Sequence, residues 1–346
     1  MTDTIAPEPA ATRRWLRFVL STLIATALVV ALALWGGVDW ADVRSVLARL
    51  SEASFVRAFV LAMAIHITIY VARAQRFRLL MPRETRSGLL ETFSVSSAHN
   101  LAVYVLPVKT GEATFPLYLK AACGVPLSTG LAALVVSRLL DFATLCGMLA
   151  VGTAILCFGP HWTLPVWSGV AIVAVAASAT ALFLALSARG EHVVATVDRC
   201  IRLARLDHTS LGRRLREHGA RLSDALRTAG GEGRIARALP LSIVIWLGIF
   251  AFYAVLAVGF GLPEHIGFLE ASFASSFVAL SNLLPVNAFA GFGTQEAGWV
   301  LGLSMIGVDA QASLPNGVGV HLVQLFDTLL FGVLGHLAMG LIRRRA

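Results

Sequence analysis

The stretch Ser96-Ser97-Ala98-His99-Asn100-Leu101-Ala102-Val103-Tyr104-Val105-Leu106-Pro107-Val108-Lys109-Thr110-Gly111-Glu112 decides the fold, because its pattern returns later in the chain. The second copy carries Ser275-Ser276, Asn282, Leu284-Pro285-Val286 and Gly291-Phe292-Gly293-Thr294-Gln295-Glu296 in the same order. Downstream, Gly124-Val125 corresponds to Gly307-Val308, and the polar pair Arg138 and Asp141 corresponds to Gln324 and Asp327. In each copy an apolar run is interrupted by Leu-Pro and then by glycine and polar residues. The apolar arm after the interruption is only about 12 residues long, too short to cross a hydrocarbon core of ~30 Å. Each copy therefore predicts a re-entrant hairpin. Irregular backbone is tolerated in a membrane only where protein encloses it, so the two tips are expected to meet inside a helical bundle.

Working outward, full spans are predicted at Phe18 to Trp35, Phe55 to Val71, Leu127 to Phe158, Leu164 to Leu186, Leu239 to Gly261 and Val318 to Ile342. The expectation is an all-α polytopic bundle of about six spans plus two hairpins, with eight spans as the alternative. Its membrane domain covers 18–342, with repeat halves at about 55–187 and 239–342. Three spans lie between the hairpins, so the hairpins enter from opposite faces, the inverted-topology arrangement of secondary transporters. Composition agrees: 57% of residues are apolar and 14% charged, outside the range of a soluble domain. The net charge of +8 comes from arginines between the apolar runs, where it reports orientation; no nucleic-acid surface is indicated. Arg13-Arg14 in the tail 1–17, the stretch Arg73, Arg76, Arg78, Arg83 and Arg86, and the terminal Arg343-Arg344-Arg345 place both termini in the cytoplasm. Segment 189–237, with eleven arginines against six acidic residues, reads as basic amphipathic helix on the cytoplasmic surface. Cys123, Cys146, Cys157 and Cys200 have no metal spacing, and no metal or other cofactor is expected.

The Asn100, Leu106-Pro107 and Gly111-Glu112 pattern, the Arg138-Leu139-Leu140-Asp141 element and the second Leu-Pro with Gly-Phe-Gly-Thr-Gln-Glu resemble the flippase-like membrane domain of lysylphosphatidylglycerol synthases. The resemblance runs from about Phe55 to Leu341. It implies a lipid-translocating domain in the cytoplasmic membrane, with stand-alone relatives linked to lipid and polyprenyl-phosphate sugar pathways. Because the sequence stops at Ala346, with no aminoacyl-transfer domain after the membrane part, lysyl transfer is not expected.

Chemistry is expected at the tips and on the two polar pairs. The tips are marked by Pro107, Gly111, Pro285, Gly291 and Gly293, where half-helix N-termini would offer free N–H groups to a phosphate. Lys109 and Arg138 are expected as the only basic side chains at the core. Glu112, Asp141, Glu296 and Asp327 outnumber them, so the cavity is expected to be negative. Asn282, Gln295 and Gln324 complete the candidate substrate-binding set. Glu112 and Glu296 could equally cap their own half-helices, and Arg138 and Asp141 could equally bridge one another. The expected activity is transport of an anionic phospholipid or polyprenyl-phosphate-linked headgroup, coupled to protons through Glu112 or Glu296; a cationic or zwitterionic headgroup, such as that of an aminoacylated lipid, is the alternative that suits a negative cavity without a proton. The alternatives are a membrane subunit accompanying envelope-lipid biosynthetic enzymes such as a glycosyltransferase, and an intramembrane lipid-modifying enzyme. No hydrolase, zincin or Walker motif supports catalysis.

Overall fold

The computed structural model describes residues 48–203, 233–263, 265–282 and 289–343, with isolated positions at 41, 44, 209, 217, 220, 224, 227 and 229. Among these residues every regular element is helical: α1 Ala53–Leu80, α2 Leu89–Val105, α3 Thr114–Cys123, α4 Leu127–Leu156, α5 Val166–Leu203, α6 Arg234–Gly259, α7 Phe268–Ser281, α8 Thr294–Ser304 and α9 Ala310–Arg343. Five are long and apolar enough to cross a bilayer: α1, α4, the Val166–Leu186 part of α5, α6, and α9 over Ala310–Ile342. They answer to five of the six predicted spans, and the chain is a multi-pass membrane protein. The tail 1–17, the span at Phe18 to Trp35, Pro285 and most of 204–232 lie outside the described residues.

Three boundaries move. α1 continues past Val71 to Leu80, carrying Arg73, Arg76 and Arg78 inside the helix. α5 continues from the span to Leu203, because Val194, Val197 and Ile201 keep a helical period across the first charged residues. α9 begins at Ala310, with Pro315 accommodated in its second turn.

The interrupted stretches form two helical hairpins. Their second arms, α3 with 10 residues and α8 with 11, reach only about 15 Å at 1.5 Å per residue. Each first arm opens alike: the Gly88 N–H donates to the Glu91 carboxylate at 2.7 Å, and the Gly267 N–H donates to Glu270 at 3.0 Å. Each second arm is followed by a glycine with left-handed backbone, Gly124 as the C-cap of α3 at φ 68° and Gly307 in the turn after α8 at φ 83°. At the tips the Thr114 hydroxyl donates to the Gly111 carbonyl at 2.7 Å, and the Thr294 hydroxyl to the Gly291 carbonyl at 3.0 Å. The tips thus align on Gly111 and Gly291, not on Glu112 and Glu296. In α8, Gly302 lets two backbones touch: a Cβ there would lie 2.5 Å from the Ala274 Cα.

The halves interlock. α1 packs on α6 at the centre, α9 packs on α2, and α4 packs on α7, so the helix that follows each hairpin covers the other half's first hairpin arm. Polarity is inside out relative to a soluble protein. Val60, Leu61, Val151, Ile155, Trp167 and Leu337 are exposed, while His66, Arg76, His99, Glu296, His321 and Asp327 are buried. Lipid as the outer solvent accounts for both, since it asks for apolar surface and drives ionisable groups inward.

Candidate functional site

A cavity of about 650 Å³ opens between the two hairpin tips. From the first half it is lined by Asn100, Tyr104, Leu106, Glu112, Arg138 and Asp141; from the second by Asn282, Ala290, Gly291, Gln295 and Gln324. Ser96 and Ser275, one from each copy of the repeat, face it from opposite hairpins. Leu139, Phe142 and Phe183 add apolar wall. Its size and mixed lining are those of a small-ligand pocket.

Two arginines of α1, expected at the cytoplasmic membrane face, turn into this cavity, as does Arg138. Arg76 is 1% exposed. Its guanidinium grips Asp141 with both ends, Nη1 to Oδ1 at 2.6 Å and Nη2 to Oδ2 at 3.0 Å. It also donates to the Ser242 hydroxyl at 2.9 Å and the Ser137 hydroxyl at 2.7 Å, tying α1 to α4 and α6. The Trp246 indole N–H donates to Asp141 at 3.3 Å. Asp141 is therefore held chiefly by Arg76. The Arg138–Asp141 bridge considered from the sequence is a longer contact of 3.4 Å. Arg138 instead pairs with Glu112 at 2.9 Å, both side chains about one-third exposed to the cavity.

Arg73 differs from its neighbours. It donates to the Asn100 side-chain oxygen at 3.3 Å, and among the described residues no carboxylate lies within ion-pair distance of it. Asn100 is fixed in turn by donating to the Tyr70 hydroxyl at 2.7 Å.

The cavity wall thus presents Arg73, Arg76 and Arg138 against Glu112 and Asp141. Among the described residues that leaves one positive charge in excess. The expectation of a negative cavity is overturned, because it omitted both arginines of α1 and counted two acids that do not line the space. Asp327 is fully buried and faces His66 Nδ1 at 2.8 Å. Glu296, 1% exposed, accepts from the Gly293 N–H at 2.6 Å and faces His321 Nδ1 at 2.6 Å. It caps its own half-helix: Gly293 is the N-cap, so Glu296 stands at the third helical position.

Gln324 has both ends of its amide engaged, accepting from the Tyr253 hydroxyl at 2.7 Å and donating to Tyr104, so it bridges α6 to α2. Gln295 is buried at the cavity edge, with its side-chain oxygen unpartnered among the described residues. Gly111 places its backbone against Ala102, with no room for a Cβ. Pro107 opens the 3₁₀ turn Pro107–Ala113 that forms the first tip. The Lys109 side chain lies outside the described residues.

Sequence reasoning missed Arg73 and Arg76 by assigning all basic residues near the end of α1 to membrane orientation. A signal was present: His66, Tyr70, Arg73 and Phe77 recur at spacings of four, three and four, which puts Arg73 on a face shared with buried polar residues. Among the described residues no group of His, Cys, Asp and Glu could hold a metal ion.

The family model described as the lysylphosphatidylglycerol synthase TM region matches residues 15–332, most of the chain. No curated protein and no solved structure matches the chain.

Proposed function

We propose a function from the premise that this chain belongs to the lysylphosphatidylglycerol synthase TM-region family: it carries an anionic lipid headgroup across the membrane through the cavity between its hairpin tips. The observation behind this reading is Arg73, a guanidinium facing the cavity without a carboxylate partner, beside Arg138, whose partner Glu112 is itself accessible. A phosphate can accept from both arginines in forked geometry, and from the Asn100 amide, without stripping Asp141 of its own donors. Leu139, Phe142 and Phe183 would receive the first carbons of the lipid tail. The substrate class is an anionic phospholipid or a polyprenyl phosphate.

In this reading the halves at about 55–187 and 239–342 are inverted in the cytoplasmic membrane, with both termini inside. Cysteines placed at Arg86 and Lys120 should then label from the cytoplasmic face alone, and those at His161 and Asp309 from the opposite face alone. Labelling of either pair from both faces would remove the re-entrant topology.

Purified protein in proteoliposomes tests the activity itself. The expected result is movement of an unmodified anionic lipid from one leaflet to the other. A chemically altered lipid would replace transport with catalysis. An unchanged distribution would leave a scaffolding role for partner enzymes.

A further inference from the structure

The second hairpin tip closes on a buried histidine–glutamate pair whose hydrogen bonds cannot all be made without an additional proton. His321, on α9, is 2% exposed, and its ring lies against Phe292 with centroids 4.3 Å apart. Its Nε2 is 3.0 Å from the Ala290 carbonyl oxygen. A carbonyl can only accept, so Nε2 carries a hydrogen. A neutral imidazole has one N–H, which leaves Nδ1 with a bare lone pair. Yet Nδ1 stands 2.6 Å from Glu296 Oε1, and an ionised carboxylate offers lone pairs alone. Two acceptors do not meet at that distance without a proton between them.

We propose that Glu296 and His321 form a proton-binding site that latches the second hairpin tip, and that losing the proton unlatches it. With the proton bound, either the carboxylic acid donates to Nδ1 or the imidazolium donates to the carboxylate. Both forms contain the same atoms and the same net charge, and both keep the Nε2–H bond to Ala290. On release the proton passes to solvent, the carboxylate and Nδ1 repel, and the Nδ1 bond holding His321 is lost.

The pair is joined mechanically to the cavity. Ala290 and Gly291 line it, and Ala290 is held at φ 54°, a left-handed conformation unfavourable for a non-glycine residue. The Ala290 carbonyl is fastened by His321 and, at 3.4 Å, by the Gln295 amide. A strained residue fastened by a histidine whose other bond depends on a proton is suited to switching. The contrast with His66 is informative: its contact with Asp327 needs only a neutral ring donating from Nδ1 to a carboxylate, so no extra proton is required.

Other ionisable side chains around the pair are few. α8 carries no other titratable side chain, and the acid of α7, Glu270, is committed to capping Gly267 at the far end of its helix. α6 faces Glu296 with Tyr253, whose hydroxyl donates to Gln324. α2 brings Tyr104, bonded to the same glutamine, and α9 adds Asp327 in its own pair with His66. Among the described residues no Lys or Arg is within ion-pair distance of Glu296.

Glu296→Gln supplies a protonated mimic at every pH, since its amide can donate to Nδ1 while its oxygen accepts from Gly293. Two measurements on substrate-free protein test the site, and neither depends on transport. In acid, nitrogen NMR of histidine-labelled protein, with the His321 signal identified by its loss in His321→Asn, should find Nε2 protonated. Nδ1 should be protonated as well, or should accept from an acid whose infrared carbonyl band disappears in Glu296→Gln. A neutral ring with its proton on Nδ1 would overturn the proposal. Hydrogen exchange at the amides of 290–293, compared between wild type and Glu296→Gln at each pH, should be equal in acid. With rising pH, exchange in wild type should become faster than in Glu296→Gln, by on the order of ten-fold, as expected for loss of a bond involving a charged group. A ratio that stays constant across the range would overturn it too. Transport indifferent to a pH gradient, with both of these results as expected, would instead refute the coupling of this site to the proposed carrier cycle.

Discussion

Arg73→Ala is expected to weaken binding of an anionic lipid by at least ten-fold while leaving thermal stability close to wild type. Hydrogen bonds to charged groups contribute about 1.5–3 kcal/mol, equivalent to roughly ten- to hundred-fold in affinity. Arg73 is the cavity arginine that makes no ion pair among the described residues. Its one hydrogen bond, to Asn100, is 3.3 Å long, so truncation leaves no buried charge without a partner. Arg73→Lys keeps the charge but loses the fork, and should recover only part of the affinity. Titration with an anionic and a zwitterionic lipid of equal tail length separates headgroup recognition from tail partitioning. Equal losses for both lipids would remove the phosphate contact from Arg73.

Arg76→Ala should do the opposite, destabilising the fold by about 3–5 kcal/mol, the usual cost of removing one member of a buried ion pair. Asp141 would lose its two shortest contacts and keep only the longer ones from Arg138 and Trp246. Ser137 and Ser242 would lose the donor that links α4 to α6. Because the cost comes from the stranded carboxylate, adding Asp141→Asn to Arg76→Ala should recover more than half of it. The check is unfolding in detergent of both single variants and the double variant. Additive losses in the double variant would show that the two residues do not act as a pair.

This division between an anchoring and a receiving arginine was not legible in the sequence, though the scaffold around it was. Apolar run lengths located α1, α4, α5, α6 and α9, and the repeated Leu-Pro and glycine segments located both hairpins, because bilayer thickness leaves few ways to use a 10-residue arm. The Gly88-x-x-Glu91 and Gly267-x-x-Glu270 starts were further repeat signals that the reading passed over. Ion pairing was harder to foresee. Arg138 and Asp141 share a helix face, so local spacing favoured their bridge. Asp141 is instead claimed by Arg76 from another helix, whose two-pronged geometry no spacing rule anticipates. Glu112 and Glu296 looked equivalent by motif, yet one faces a cavity arginine and the other a buried histidine from α9. Such long-range partners depend on how the halves interlock, which the repeat implied only in outline.

The central claim, that the cavity between the hairpin tips receives an anionic headgroup, is tested most directly by native mass spectrometry of the protein extracted in mild detergent, wild type beside Arg73→Ala. Wild type is expected to retain an anionic phospholipid or polyprenyl phosphate at about one per chain, and Arg73→Ala to lose it. Retention of zwitterionic lipid alone, or of the same anionic lipid in equal amount by both proteins, would contradict it.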